Sequence, residues 1–110
     1  MKSDFYGGLI RLHLLHHAAH EGAIFGLGMI DELAEHGYRL SPGTLYPMLH
    51  RLERDGLLKS KQLLVNGKIR RGYSITTVGQ SELALGKKRV KELFGELFEE
   101  KQRKTSPKTN

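Results

Sequence analysis

The chain has 110 residues, which is enough for one domain with a modest core and too few for two. Without cysteine it can form neither disulfides nor thiolate metal sites, and without a long apolar run it cannot cross a membrane, so we expect a cytoplasmic protein. Its 18 Lys and Arg residues against 12 Asp and Glu residues give a net charge of +6, which favours polyanionic partners.

Two helices are predicted in the first third of the chain. Apolar residues at helical spacing predict the first from Asp4 to His20, with Ser3 or Asp4 as its N-cap and Gly22 at its end. Its expected buried residues are Leu12, Leu14, Leu15, Ala18 and Ala19. The second helix, LGMIDELAEHG, should end at Gly37. Its expected inward-facing residues are Met29, Ile30 and Leu33.

The third predicted helix, within LSPGTLYPMLHRLERDGLL at residues 40–58, has an unusual front. Ser41 suits the N-cap position, Pro42 the first helical position and Gly56 the end of the helix. A second proline, Pro47, removes a backbone donor inside the helix. The expected core face is Leu45, Met48, Leu49 and Leu52. Pro47, Arg51 and Arg54 should point away, with Thr44, an exposed Tyr46 and His50 at the rim.

After this helix the periodicity changes to that of strands. LLKSKQLLV and RRGYSIT flank NGK, and Asn-Gly is a strong hairpin signal. Between Lys59 and Ser81 the chain has no carboxylate. It has five cations there: Lys59, Lys61, Lys68, Arg70 and Arg71. A basic patch inside the folded part is a stronger nucleic-acid signal than a basic tail.

The order helix, helix, helix, hairpin, helix predicts a mainly α fold with a small antiparallel hairpin (α+β). This is the winged helix-turn-helix arrangement, in which the third helix enters the major groove and the hairpin is the wing. We divide the chain into a winged-helix domain at 1–76, a C-terminal dimerisation helix at 77–101 and a disordered basic tail at 102–110.

The last predicted helix carries a broad apolar stripe at spacing i, i+3, i+4, i+7, i+8. The stripe consists of Val90, Leu93, Phe94, Leu97 and Phe98. One interpretation is that it folds back on its own domain; the other is that it packs against a second copy. Two recognition helices related by a twofold axis would then meet a palindromic site with half-sites about 10 base pairs, or a multiple of that, apart.

LSPGTLYPMLHRLERDGLL followed by GKIRRGYSITTVGQSEL closely resembles the PadR-like transcriptional regulators, and the likeness covers about residues 5–100. The length of the chain is similar to that of the short subfamily, whose members have a single C-terminal helix. The resemblance implies a homodimeric, usually repressing, DNA-binding protein. It places the following residues at the DNA: Ser41, Gly43, Thr44, Tyr46, Pro47 and Arg51 on the helix, and Lys68, Arg70 and Arg71 on the wing. From its position at the rim of the helix, His50 is predicted to bind DNA as well. The FGLGMI segment at 25–30 departs from the family pattern.

Members of this family commonly respond to small aromatic molecules near the dimer interface, so a small aromatic effector is expected here as well. Aromatic residues that could line such a place are Phe5, Tyr6, Phe94 and Phe98, although aromatic residues at helical spacing more often belong to the core.

Four histidines share one face of the first helix: His13, His16, His17 and His20. Their i, i+4 spacing is that of helical zinc ligands, but the HExxH pattern of hydrolytic zinc sites is absent. A metal site and a polar, proton-sensitive dimer seam are both compatible with this face. We expect neither a resident metal nor another cofactor.

The leading functional prediction is a DNA-binding transcriptional regulator, and the alternative is a winged-helix module that binds proteins and not DNA. An enzyme is not expected, because the chain has no Ser-His-Asp order, no phosphate loop and no paired carboxylates in an apolar setting.

Overall fold

The computed structural model describes residues 5–99 of the chain. Their elements, in chain order, are α1 (Gly7–Glu21), α2 (Gly26–Glu35), α3 (Pro42–Arg54), β1 (Leu58–Val65), β2 (Lys68–Ile75) and α4 (Thr77–Phe98). The predicted fold class, mainly helical with one antiparallel hairpin, is therefore confirmed. No helix in residues 5–99 is both long and apolar enough to span a bilayer.

The first three helices end where the glycines predict. Gly37 has φ 93° and Gly56 has φ 84°, in the left-handed region that suits glycine after a helix. After Gly56 the amide of Leu57 donates to the carbonyl of Leu52 at 2.9 Å, which closes the last turn of α3. The start of α1 differs from the prediction: the helix begins at Gly7, and Ser3 and Asp4 lie outside the described residues.

The core lies between α1, α2, α3 and the base of the hairpin. Its fully buried large side chains are Ile10, Leu14, Ile24, Leu33, Leu45, Leu49, Leu58 and Tyr73. The leucine and methionine face predicted for α3 is buried as expected. Ala19 was wrongly assigned to the core: it is exposed, and Ile10 is buried on α1 in addition to Leu14, Leu15 and Ala18.

The hairpin has the geometry that Asn-Gly predicts. Asn66 (φ 52°) and Gly67 (φ 80°) both lie in the left-handed region, as a type I′ turn requires. The strands pair from Leu58 opposite Ile75 to Val65 opposite Lys68. The sequence did not predict that Ile24, which precedes α2, forms a one-residue antiparallel bridge with β2. The Ile24 amide donates to the Tyr73 carbonyl at 2.9 Å, and the Tyr73 amide donates to the Ile24 carbonyl at 2.8 Å.

Helix α4 is fixed to the hairpin at its start. The hydroxyl of Thr76 accepts from the amide of Gly79 at 2.9 Å and so caps the helix. A methyl group on Gly79 would overlap the backbone carbonyl of Leu57, so this turn packs directly on backbone. About two turns later, Gly86 lets α4 cross α1 at Leu12, whose side chain fills the place of a β-carbon.

Candidate nucleic-acid interface

The front of α3 is open to solvent. Ser41 occupies the N-cap position with an extended backbone, as predicted, but its side chain caps no amide of the helix. Its hydroxyl instead lies 3.4 Å from the hydroxyl of Thr44, while the amides of Thr44 and Leu45 bond to the Ser41 carbonyl. Pro42 and Gly43, the first two residues of the helix, are exposed as well. The positive end of the helix dipole is thus accessible to an anion.

The outward face of α3 is polar and basic. Pro47, His50, Arg51 and Arg54 are all exposed, whereas the leucine face is buried, so the two predicted faces are separated as expected. Arg54 contacts its neighbour Asp55 at 3.5 Å, an exposed pair that water screens strongly. Within residues 5–99, Arg51 takes part in no salt bridge. Its guanidinium is therefore available to an external anion.

Tyr46 differs from its prediction. The ring is half-buried, not exposed, and packs against the core. A methyl group on Gly26 would overlap this ring, so Gly26 at the start of α2 is the surface on which Tyr46 rests. Tyr46 therefore holds α2 against α3, and its role at a DNA face stays a prediction.

The strand register divides the wing cations between two faces. Side chains alternate along a strand and directly paired residues share a face, so Arg70 lies with Lys68 and Arg71 lies with Tyr73. Four of the five cations share one face: Lys59, Lys61, Lys68 and Arg70. In the described part of the chain none of these four takes part in a salt bridge. The opposite face carries at its tip the exposed apolar pair Leu64 and Ile69.

Arg71 is tied to the end of the recognition helix. Its Nη1 donates to the hydroxyl of Ser60 at 2.8 Å. That hydroxyl in turn donates to Oε2 of Glu53 on α3 at 2.7 Å, and the Ser60 amide donates to the same oxygen at 3.2 Å. The wing and α3 are thus joined by a chain of polar contacts in addition to their short connection. Sequence patterns did not reveal this role of Arg71.

The base of the hairpin contains one buried phenol, that of Tyr73. Burial raises the pKa of Tyr73, and nearby Glu53 raises it further, so the phenol stays protonated at neutral pH. Tyr73 is 1% exposed and belongs to the core, not to the candidate interface.

The stripe on α4 is largely uncovered in the single chain. Gly79 is the one buried residue of α4. Phe94 is 53% exposed, Leu97 56% and Phe98 69%, and the rings of Phe94 and Phe98 lie 5.0 Å apart. Between α1 and α4 lies a groove of about 860 Å³, whose apolar lining residues are Leu9, Leu12, Leu83, Val90 and Phe94. Such an exposed apolar surface marks an interaction site.

The histidines of α1 lie close together, with the rings of His16 and His17 5.1 Å apart, but they differ in their further partners. His16 and His20 stack on each other, with ring centroids 5.9 Å apart. His13 and His17 lie instead near His36, the residue after α2, which sequence spacing could not connect with α1. Burial lowers the pKa of His13, with nearby His36 and His17 acting in the same direction, so its imidazole is held neutral.

A helix-turn-helix formed by α2 and α3, followed at once by a two-stranded wing, places the molecule in the winged helix-turn-helix class. Residues 14–85 match the transcriptional regulator PadR-like family. The chain belongs to this family and is a transcriptional regulator, as the resemblance predicted.

Individual relatives agree with this assignment. The chain is 48% identical over 95 residues to the transcriptional regulator Rv3488 of Mycobacterium tuberculosis, covering 86% of this chain and 88% of the relative. A PadR-like transcription factor from Bacteroides fragilis superposes with a TM-score of 0.72 at 28% identity, covering 86% and 92% of the two chains. A PadR-like regulator from Bacillus cereus, at 22% identity, shares the fold with a TM-score of 0.73 over 96% of this chain and all (100%) of that one.

Proposed function

We propose that this regulator binds duplex DNA, with the front of α3 in the major groove and the wing on the flanking backbone. The observation that carries the proposal is the open start of α3, whose side chain at the N-cap position caps no amide and whose outward side chains are basic. The wing that follows α3 has four cations on one face, and none of them is in a salt bridge within residues 5–99. Phosphate contacts from the wing supply affinity, while Thr44, Pro47 and Arg51 on α3 are positioned to choose the sequence.

The proposal includes a homodimer. The α4 stripe and the groove beside α1 expose apolar side chains to water in the single chain. A second copy of the chain would bury them against its own identical surface. A twofold dimer of this kind presents two copies of α3, so the site is a palindrome with half-sites one helical turn, or a multiple of it, apart.

Regulation is proposed to be repression that a small aromatic molecule relieves. A dimer that covers its operator blocks access to the promoter. The groove between α1 and α4 is apolar and contains Phe94, which suits an aromatic ligand. Binding there would alter how the two copies meet and hence the separation of their α3 helices.

A salt series of fluorescence-anisotropy titrations with duplex DNA tests the proposal. The affinity should fall steeply and linearly on a log–log plot as salt rises, and Arg51→Gln should weaken it. The matched control is Arg39→Gln, an exposed arginine in the turn before α3 that is not among the residues proposed to contact DNA. Affinity that is absent at low salt would instead favour a module that binds proteins.

A further inference from the structure

Three imidazoles from two helices converge beside the helix-turn-helix. His13 and His17 are one turn apart on α1, and His36 follows the last turn of α2. Each offers a ring nitrogen, and these three atoms lie within 4.8 Å of one another. His13 and His17 are half-buried, whereas His36 is exposed at the mouth of the cluster. The three nitrogens thus lie close together, and His36 leaves the cluster accessible to solvent.

A carboxylate lies beside two of the three imidazoles. Oε2 of Glu32 on α2 lies 3.5 Å from Nε2 of His17 and 3.1 Å from Nε2 of His36. Zinc bonds nitrogen and oxygen ligands at about 2.0–2.2 Å in a tetrahedron, which separates neighbouring ligand atoms by about 3.4 Å. The two Glu32 distances lie on either side of this value. The three imidazole nitrogens, which lie within 4.8 Å of one another, would have to draw together by up to about 1.4 Å to share one ion.

The orientation of His17 also favours a metal. Its Nδ1 lies 2.8 Å from Oε2 of Glu21, and a carboxylate only accepts, so Nδ1–H donates to Glu21. In the neutral ring Nε2 then carries the lone pair, and it lies 3.5 Å from Oε2 of Glu32, so that two acceptors lie near each other. A carboxylate that holds the far nitrogen of a metal-binding histidine is the usual outer-shell arrangement.

We infer a binding site for a divalent transition metal of the zinc type, formed by His13, His17, His36 and Glu32. Three imidazoles and one carboxylate, without thiolate, match the donor preferences of Zn²⁺, Co²⁺ and Ni²⁺ and not those of Mg²⁺ or Ca²⁺. The ion would tie α1 to the turn that connects α2 with α3.

His16 and His20 provide an internal comparison. They have the same i, i+4 spacing on the same helix, and their rings are stacked. The His16 ring also lies 5.1 Å from that of His17, but within residues 5–99 the histidines whose ring nitrogens converge are His13, His17 and His36. A weak two-histidine site on the surface of α1 would use this pair. The proposed site requires His36, which lies 23 residues after His13 in the sequence and touches it only through the fold, with ring centroids 4.7 Å apart.

The test is a Zn²⁺ titration of the untagged full-length chain by calorimetry, with a chromogenic chelator as competitor. One Zn²⁺ should bind per chain, and His36→Ala should weaken binding at least about tenfold, because it removes one of four ligands. His20→Ala, the matched control, should leave the affinity unchanged. Circular dichroism should show both variants folded, since His36 and His20 are exposed.

A Co²⁺ spectrum gives an independent measurement. The intense visible absorption of tetrahedral cobalt should appear in the unsubstituted chain and in His20→Ala, and it should be lost in His36→Ala and in Glu32→Gln. Three outcomes would overturn the site. They are the absence of Zn²⁺ binding, binding that His36→Ala leaves intact, and binding that His20→Ala abolishes. The first would assign the contacts of Glu32 to imidazolium salt bridges.

Discussion

Replacing Phe94 and Leu97 together by alanine tests the proposed dimer through the apolar stripe. The side chains are 53% and 56% exposed in the single chain, so about half of each remains to be covered by a partner. Full burial of a Phe or Leu side chain contributes about 1.5–3 kcal/mol, so covering the remaining half contributes about 1 kcal/mol per side chain. A twofold interface contains each residue twice, which gives about 4 kcal/mol per dimer.

At about 1.4 kcal/mol per tenfold change, the double variant should dissociate about a thousandfold more readily. Sedimentation velocity over a dilution series measures this constant, and circular dichroism checks that the helices persist. Val78→Ala is the matched control, because Val78 is 57% exposed on α4 but lies in its first turn, outside the stripe. A double variant that associates as tightly as Val78→Ala would refute the assignment of the stripe to a dimer interface.

Tyr46→Phe keeps the ring that packs on the start of α2 and removes only a hydroxyl, so the thermal melt should be unchanged while DNA affinity falls by about 0.5–1.5 kcal/mol. An early melt with normal binding would make Tyr46 a packing residue alone. Leu49→Ala removes most of a fully buried side chain and should lower the free energy of unfolding, measured by urea denaturation, by about 2–5 kcal/mol. The fraction that remains folded should keep its affinity for DNA. Arg70→Gln should reduce the slope of log affinity against log salt by about 0.9. Arg71→Gln should change this slope less and should speed hydrogen exchange in β1, because Arg71 bonds to Ser60. Equal changes in slope would contradict the assignment of Arg70 and Arg71 to opposite faces of the wing. Gly79→Ala should cost about 1–3 kcal/mol of stability, because a methyl group there overlaps a backbone carbonyl, and an unchanged melt would show that α4 can shift.

The parts of the fold that were predicted correctly depend on local signals. Asn66 and Gly67 suit a type I′ turn by themselves, and this turn then sets the register of both strands. Pro42 and Gly56 mark the ends of α3 through backbone preferences that hold in any surroundings, and Ser41 occupies the N-cap position although its side chain caps no amide. The division of the wing cations between two faces follows from the same register, so it could have been predicted by alternation alone.

The parts that were missed depend on contacts between distant segments. Tyr46 lies at the rim of a helical wheel, and only the packing of α2 on α3 shows that Gly26 leaves room for its ring. Ile24 pairs with β2 through a single residue, which is too short to produce a strand pattern. His36 joins His13 because α1 and α2 pack side by side, and no spacing within one helix indicates that.

The roles assigned to the DNA face, the domain boundaries and the dimer stripe stay predictions, because they concern how this chain meets other molecules. The segment at residues 102–110, predicted to be a disordered tail, lies outside the described residues. Within residues 5–99 the geometry supports the proposals at specific atoms: the uncapped front of α3, the unpaired cations of the wing and the exposed stripe of α4.

Selection of bound duplexes from a random DNA pool with the full-length chain tests the central proposal most directly. We expect enrichment of an inverted repeat whose half-site centres lie about 10 base pairs, or a multiple of that, apart, and Arg51→Gln should relax the preference at the same position in both half-sites. Failure to enrich any sequence, or enrichment of a single asymmetric site, would contradict the proposal that a twofold dimer reads DNA through α3.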